Sequence, residues 1–281
     1  MKFSKYHALG NDYIVIRPEE CPDNISRDLI RIICDRNYGI GADGILIGPL
    51  KSQRCDFGLR IYNPDGSEAE KSGSGLRIFA RFLIDETLTR KPSFSVETTG
   101  GVVFCEVSPD HRNVKVEMGK VSFNSTRIPV EGKSRDVLNE IIEIDGRKLK
   151  FSAATIGNPH CVVFSDNPSP EETRHFGPGI EKEPRFPNRT NVQFMKVLDR
   201  SNIQIEIWER GAGYTLASGS SSTAAAAVAH KQGLCEQDIT VHMPGGRLFI
   251  QLSDDFSATM TGPVSKICDG NIAEELFDQK L

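Results

Sequence analysis

The chain reads as an α+β protein built from two related halves, and three observations carry that expectation. Strand-like runs recur along its whole length, only three helical patterns stand out, and two similar Gly/Ser loops each lead into a nearly all-apolar helical segment. The strand-like runs are Tyr13–Ile16, Gly44–Ile47, Phe57–Tyr62, Phe94–Glu97, Val102–Val107, Val114–Glu117, Cys161–Phe164, Val192–Val197, Ile203–Trp208 and Arg247–Leu252. Most are short, rich in β-branched residues and bounded by Gly, Pro, Asn or Asp. A helix is expected over Arg27–Asn37, with Ser26 as its cap and Leu29, Ile30, Ile32 and Ile33 on its apolar stripe. Two more are expected over Leu76–Glu86 and Ser222–Gln232. A helix apolar all round is buried on every side.

The loops before those two helices are Ser72-Gly73-Ser74-Gly75 and Ser218-Gly219-Ser220-Ser221. Their distance apart is far too large for a solenoid repeat and points to a duplicated domain; chance likeness of two small-residue loops is the alternative. The first turn of a helix has unpaired backbone N–H groups and the positive end of the helix dipole. Gly and Ser leave those groups open to a carboxylate. Such a terminus suits proton abstraction beside a carboxylate, where charge accumulates on the acid oxygens. The simpler reading is that Ser72 and Ser218 are N-caps.

With 281 residues, 38 % of them hydrophobic and 26 % charged, the chain has the composition of an ordinary folded protein. A net charge of −4 argues against affinity for nucleic acid or anionic lipid. No apolar run reaches the ~18 residues of a membrane span. The start, Met1 to His7, lacks the features of a secretory signal, so a cytoplasmic address is expected. Seven scattered cysteines without a C-x-x-C pair suggest structural thiols, neither a disulfide framework nor a metal site.

Polar residues recur where strands should end: Asn11, Asn63, Asn158, His160 and Asn191, with Glu209 and Arg210 ahead of the second loop. Each Asn alone is a turn former. Together with the Glu-Arg pair they suit a zwitterion, with amides for direction, Glu for an ammonium and Arg for a carboxylate.

The motifs Gly10-Asn11-Asp12, Asp35 to Gly44, Asn63 to Glu70, Gly157 to Cys161, Phe186 to Val192, Glu209 to Gly213, Met243 to Gly246 and Thr261-Gly262-Pro263 resemble, in order, those of the diaminopimelate epimerase family. The resemblance implies two pseudo-symmetric α/β domains, each a β-barrel-like sheet around a central helix. Residues 1–117 would form the first, completed by 263–281, and residues 118–262 the second. It implies a cofactor-independent, two-base inversion of an amino-acid α-carbon, with LL- or meso-diaminopimelate the leading substrate. No metal is implied, and a homodimer is compatible with it. The domains would close over the substrate and exclude water.

By this resemblance the family's two catalytic cysteines fall on Ser72 and Ser218, supported by His160 and Glu209. The substrate-binding set carries over to Asn11, Asn63, Gly73, Ser74, Asn158, Asn191, Glu209, Arg210, Gly219 and Ser220. Departures gather at the reacting end. Ser74 replaces an Asn, Gly219-Ser220-Ser221-Ser222-Thr223 replaces Gly-Thr-Gly-Ala-Cys, Lys71 stands at a usually apolar position and Tyr214 where an acid is common. A serine hydroxyl is a poor base unless another group activates it. Three readings stay open: an epimerase whose proton carriers are rearranged around His160, Glu209 or Lys71; a paralogue that only binds its ligand; and an engineered double Cys→Ser form, against which the additional changes speak. Gly39 to Gly44 fits G-x-G-x-x-G, but a helical pattern precedes it and a strand follows, the reverse of a dinucleotide site. A serine hydrolase lacks its G-x-S-x-G and an acid to orient His160.

Overall fold

The computed structural model describes residues 1–21 and 25–277. It divides into two compact units: residues 1–117 with 261–281, and residues 118–260. The last four residues of the first unit lie outside the described set.

In the first unit, β1 (Lys2–Ala8) pairs antiparallel with β2 (Asn11–Ile16), and α1 (Arg27–Cys34) leads to β3 (Ile45–Leu50), parallel to β2. β4 (Phe57–Tyr62) runs antiparallel to β3 and to the short β5 (Glu68–Ala69). After α2 (Gly73–Asp85), β6 (Ser93–Thr98) joins β4 in parallel, and β7 (Gly101–Val107) and β8 (Asn113–Lys120) follow as an antiparallel meander.

The second unit repeats this order. β9 (Glu140–Ile144), β10 (Arg147–Thr155) and β11 (Pro159–Phe164) are antiparallel, and α3 (Pro170–Glu181) leads to β12 (Asn191–Asp199), parallel to β11. β13 (Asn202–Glu209) and β14 (Gly213–Thr215) come next, antiparallel. After α4 (Gly219–Lys231), β15 (Asp238–Met243) joins β13 in parallel and pairs with β16 (Gly246–Leu252). The chain continues as β17 (Ser257–Pro263) and returns to the first unit as β18 (Ser265–Asn271), antiparallel to β1. In each unit a parallel pair is reached through a helix, and the helix after the short strand is the enclosed one.

Enclosure follows from composition. α2 packs on β1, β2, β3 and β7, and α4 on six strands from β10 to β16. Leu76, Ile78, Phe79 and Leu83 of α2 and Ala224 to Ala229 of α4 are fully buried. The alanines let strands approach α4 closely on all sides. A separate apolar cluster joins α1 to β2 and β3 through Ile30, Ile33, Ile14, Ile16, Ile45 and Ile47. Its counterpart joins α3 to β10, β11 and β12 through Phe176, Ile180, Phe151, Val163 and Phe194, with Trp208 packed against it.

Helix boundaries differ from expectation for local reasons. α1 stops at Cys34, short of Asn37, because the Asp35 carboxylate accepts the N–H groups of Asn37 and Tyr38 and turns the chain outward. Gly39 then passes so near the end of α1 that a Cβ there would lie 1.9 Å from the Ile32 carbonyl oxygen. α2 and α4 begin three residues earlier than their apolar runs suggest, at Gly73 and Gly219. α3 escapes the pattern search because Gly177, Pro178 and Gly179 interrupt it. Its start signals are nevertheless present: Ser169 caps it, Pro170 sits in its first turn, and Glu171 and Glu172 follow. No described helix is long and apolar enough to cross a membrane.

Candidate active site

Ser72 and Ser218 occupy equivalent places, each in extended conformation immediately before an enclosed helix. Both are N-caps. Ser72 Oγ accepts the Gly75 N–H at 3.0 Å, and Ser218 Oγ accepts that of Ser221 at 3.4 Å. The cap geometry is what exposes each hydroxyl to the positive end of its helix.

In the first unit, Ser72 Oγ lies 3.0 Å from the hydroxyl of Tyr13, a partner the sequence did not single out. Gly44 makes this possible: a Cβ there would meet the Tyr13 ring at 2.6 Å. Beneath the loop lies Arg77, 1 % exposed. Its guanidinium donates to the carbonyls of Gly73 and Pro263 and to Ser74 Oγ. Burial lowers its pKa to about 10, still cationic at neutral pH. A buried cation at the N-terminus of α2 adds to the helix dipole and favours an anion at Ser72-Gly73-Ser74. Asn11 donates to Asp43 at 2.9 Å, and Asn63 to Ser67 at 2.9 Å inside its own turn. Lys71 is half-buried, with its ammonium toward the Glu117 carbonyl, and burial lowers its pKa.

The second unit joins its candidates through hydrogen bonds. Asn158 Nδ2 reaches Ser220 Oγ at 3.4 Å, and Ser220 Oγ lies 3.5 Å from Ser218 Oγ. Asn158 Oδ1 meets His160 Nε2 at 3.0 Å. Asn191 donates to the Pro159 carbonyl at 2.9 Å and accepts the Arg210 N–H at 3.0 Å, tying the head of β11 to the Glu209-Arg210 turn. Arg210 is exposed and donates to the Asn188 carbonyl. Glu181 of α3, 4 % exposed, holds the same turn: it accepts from Trp208 Nε1 at 2.7 Å and from the Gly211 N–H at 3.1 Å.

His160 sits differently from a proton carrier. It is fully buried, and desolvation, followed by the positive field of Arg210, lowers its pKa to about 3. Both its ring nitrogens face amides, Asn158 and Gln193, and neither partner is a carboxylate. A hydrolase triad would need an acid there. Ser222 and Thr223 bond back to the carbonyls of Ser218 and Gly219, which satisfies their buried hydroxyls within α4. Tyr214 donates to Glu206 at 2.6 Å under Arg174. The seven cysteines are free thiols. Burial pushes Cys34 and Cys105 up to about 12 and Cys161 higher still, so these three are inert.

Sequence reasoning thus named the serines, asparagines and Arg210 but missed Tyr13, Arg77, Glu181 and Gln193. Arg77 was visible as a charge near the start of a largely apolar helical run. The other three act through contacts between elements distant in sequence and left no local signal.

The fold is shared with solved structures of low sequence identity. It superposes with a TM-score of 0.70 on a hydroxyproline epimerase from Agrobacterium vitis, at 16 % identity over 96 % of this chain and 91 % of that one. A probable proline racemase from Agrobacterium radiobacter gives 0.72, at 16 % identity over 99 % and 94 %. The sequence model described as diaminopimelate epimerase matches residues 3–124 and 152–267, and the chain belongs to that family. A protein of Nostoc sp. named diaminopimelate epimerase 2 is 60 % identical over 99 % of this chain and 97 % of its own length. A diaminopimelate epimerase of Caldanaerobacter subterraneus is 38 % identical over 97 % and 99 %.

Proposed function

We propose that the chain is a cofactor-independent amino-acid epimerase and that its substrate is diaminopimelate, inverted at one α-carbon between the LL and meso forms. One observation carries the reading beyond family membership: the Asn158 amide is bonded to Ser220 in the first turn of α4, and Asn191 ties the head of β11, next to Asn158, to the Glu209-Arg210 turn. Donors arranged in this way suit a carboxylate, and the flanking Glu209 suits an ammonium.

Inversion needs one proton carrier for each face of the α-carbon, and the capping serines Ser72 and Ser218 are the candidates. Removal of the α-proton moves its electron pair toward the substrate carboxylate, whose charge the helix terminus stabilises. The proton then returns from the other carrier. A hydroxyl needs help to act as a base. In the first unit Tyr13, at 3.0 Å from Ser72 Oγ, is the nearest group able to share a proton with it. His160 has no part in proton transfer in this reading; it shapes the site.

The buried neutral imidazole and the burial that raises the thiols of Cys34, Cys105 and Cys161 favour a second reading, a paralogue that binds the same ligand without turning it over. Proton NMR in D₂O separates the two. Loss of the α-proton signal of LL-diaminopimelate above the protein-free rate is the expected result. No exchange, with saturable binding by calorimetry, would favour the binding paralogue. Neither exchange nor binding would sink both.

A further inference from the structure

Gln193, in the middle of β12, is fully buried and belongs to no site assigned so far. Its Nε2 lies 3.2 Å from His160 Nδ1 and donates to Ser221 Oγ at 2.9 Å. Its own carbonyl oxygen is buried and has no hydrogen-bond partner among the described residues. An unsatisfied buried group is costly, so its presence asks for a reason. Turning the amide over would place two N–H donors in that position, and orphaned N–H groups are rarer than under-satisfied carbonyls. The amide therefore keeps its nitrogen toward the imidazole, and His160 Nδ1 is an acceptor.

The remaining ring nitrogen follows. With Nδ1 accepting, the neutral imidazole carries its proton on Nε2, and Nε2–H points at Asn158 Oδ1, 3.0 Å away. Asn158 then has its carbonyl engaged by His160 and its NH₂ turned toward Ser220 Oγ and solvent. Asn158 is half-buried, whereas Gln193 and His160 are fully enclosed, so the outermost member alone can meet a ligand.

We propose that Gln193 is a positioning residue that locks His160 in its Nε2–H form and thereby presents the Asn158 amide as a fixed donor to a carboxylate ligand. The ligand in this statement rests on the function proposed above; the locked imidazole does not. The lock also explains why the site tolerates a histidine that carries no charge: its work is to transmit orientation from β12 to the head of β11. Pre-oriented donors lose little on binding, which is how a buried relay raises affinity without touching the ligand.

The test is nitrogen NMR on protein labelled with ¹⁵N-histidine, His160 being assigned among the six histidines by its loss in H160Q. The expected spectrum has one pyrrole-type signal (Nε2) and one pyridine-type signal (Nδ1), unmoved between pH 5 and 8. A His160 that titrates in this range, or that carries its proton on Nδ1, would overturn the proposal. In Q193L and in the volume-matched Q193M, the His160 signals should move toward averaged tautomers, and diaminopimelate affinity should fall about tenfold. N158A should fall by a similar factor, and Q193M/N158A by no more than N158A alone, because the two act in series. Trp208 fluorescence verifies that each variant is folded. Folded variants that keep both the His160 signals and an affinity within about twofold of the parent would also overturn it. Failure of the parent protein to bind diaminopimelate would instead refute the functional reading, leaving the nitrogen spectrum to decide the lock.

Discussion

Glu181→Gln isolates the contact that fixes the Glu209-Arg210 turn. Glu181 is 4 % exposed, and its two oxygens divide the work: Oε2 accepts the Trp208 indole N–H at 2.7 Å, and Oε1 the Gly211 N–H at 3.1 Å. Glutamine keeps the shape but has one oxygen, so one of these donors must face an NH₂ group. That loses a hydrogen bond to a charged acceptor, about 1.5–3 kcal/mol, and leaves a donor unsatisfied. The surviving bond falls to neutral strength, roughly half. The contact with Arg189, 3.5 Å away and 57 % exposed on the arginine side, adds little. The expected loss is therefore about 2–4 kcal/mol. Trp208 is the single tryptophan of the chain, so urea unfolding followed by its fluorescence reports on the second unit at the altered contact itself. Diaminopimelate affinity should fall as well, since Gly211 follows directly on Arg210. A midpoint that moves by less than the equivalent of about 0.5 kcal/mol would refute the idea that this carboxylate organises the turn.

S72C/S218C should raise α-proton exchange by at least two orders of magnitude, since a thiol titrates near ~8.5 and a helix N-terminus lowers it further; a variant that binds diaminopimelate without any gain would locate the block in Ser74, Ser221 or Lys71. Y13F should leave ligand affinity within about threefold and cut exchange by about 10²-fold or more if the phenol shares the Ser72 proton. Equal exchange in Y13F and parent would exclude Tyr13 from the chemistry. His160 also gives a pH signature. Its folded pKa, about 3, lies below its ordinary value, so the unfolded chain binds the extra proton in the interval between them. Stability is complete above pH ~6.5 and falls by up to about 1.4 kcal/mol per unit as the pH drops toward 4. H160Q should flatten that slope; identical pH profiles for the two proteins would contradict the burial argument.

What the chain declared about itself depended on range. Phe57–Tyr62 read as a strand and is one, because β-branched and aromatic residues there alternate between turn signals. The enclosed helices were legible because α2 and α4 are apolar over most of their surface. β1 and β10 were not, since lysines at their outer positions and the buried Ser4 and Ser152 break the apolar run. β18 is mostly exposed and owes its place to pairing with β1, more than 250 residues earlier, which no local window senses. At the site, the capping role of both serines was among the readings offered, and the hydrogen bonds from Gly75 and Ser221 bear it out. His160 carried the opposite lesson. The family resemblance put it among the proton carriers, yet enclosure by β11 and β12 leaves it neutral and bonded on both nitrogens.

The two serines differ in surroundings, and that difference bears on how such a site could exchange protons. Ser218 is capped into a network of neutral groups: Ser220, Asn158, His160, Gln193 and Ser221 pass hydrogen bonds from one to the next without a charge among them. Ser72 has a phenol at 3.0 Å and the buried Arg77 guanidinium anchored to the carbonyl of the very next residue, Gly73. A phenol's reference pKa, about 10, stands much nearer to that of a thiol than an alcohol's does. A fixed positive charge and a helix terminus lie beside Ser72 as well. The first unit therefore has the parts of an activated proton carrier, whereas the second has those of a rigid donor array for a carboxylate. The physical asymmetry predicts that S72A lowers α-proton exchange more than S218A does; equal losses would refute it.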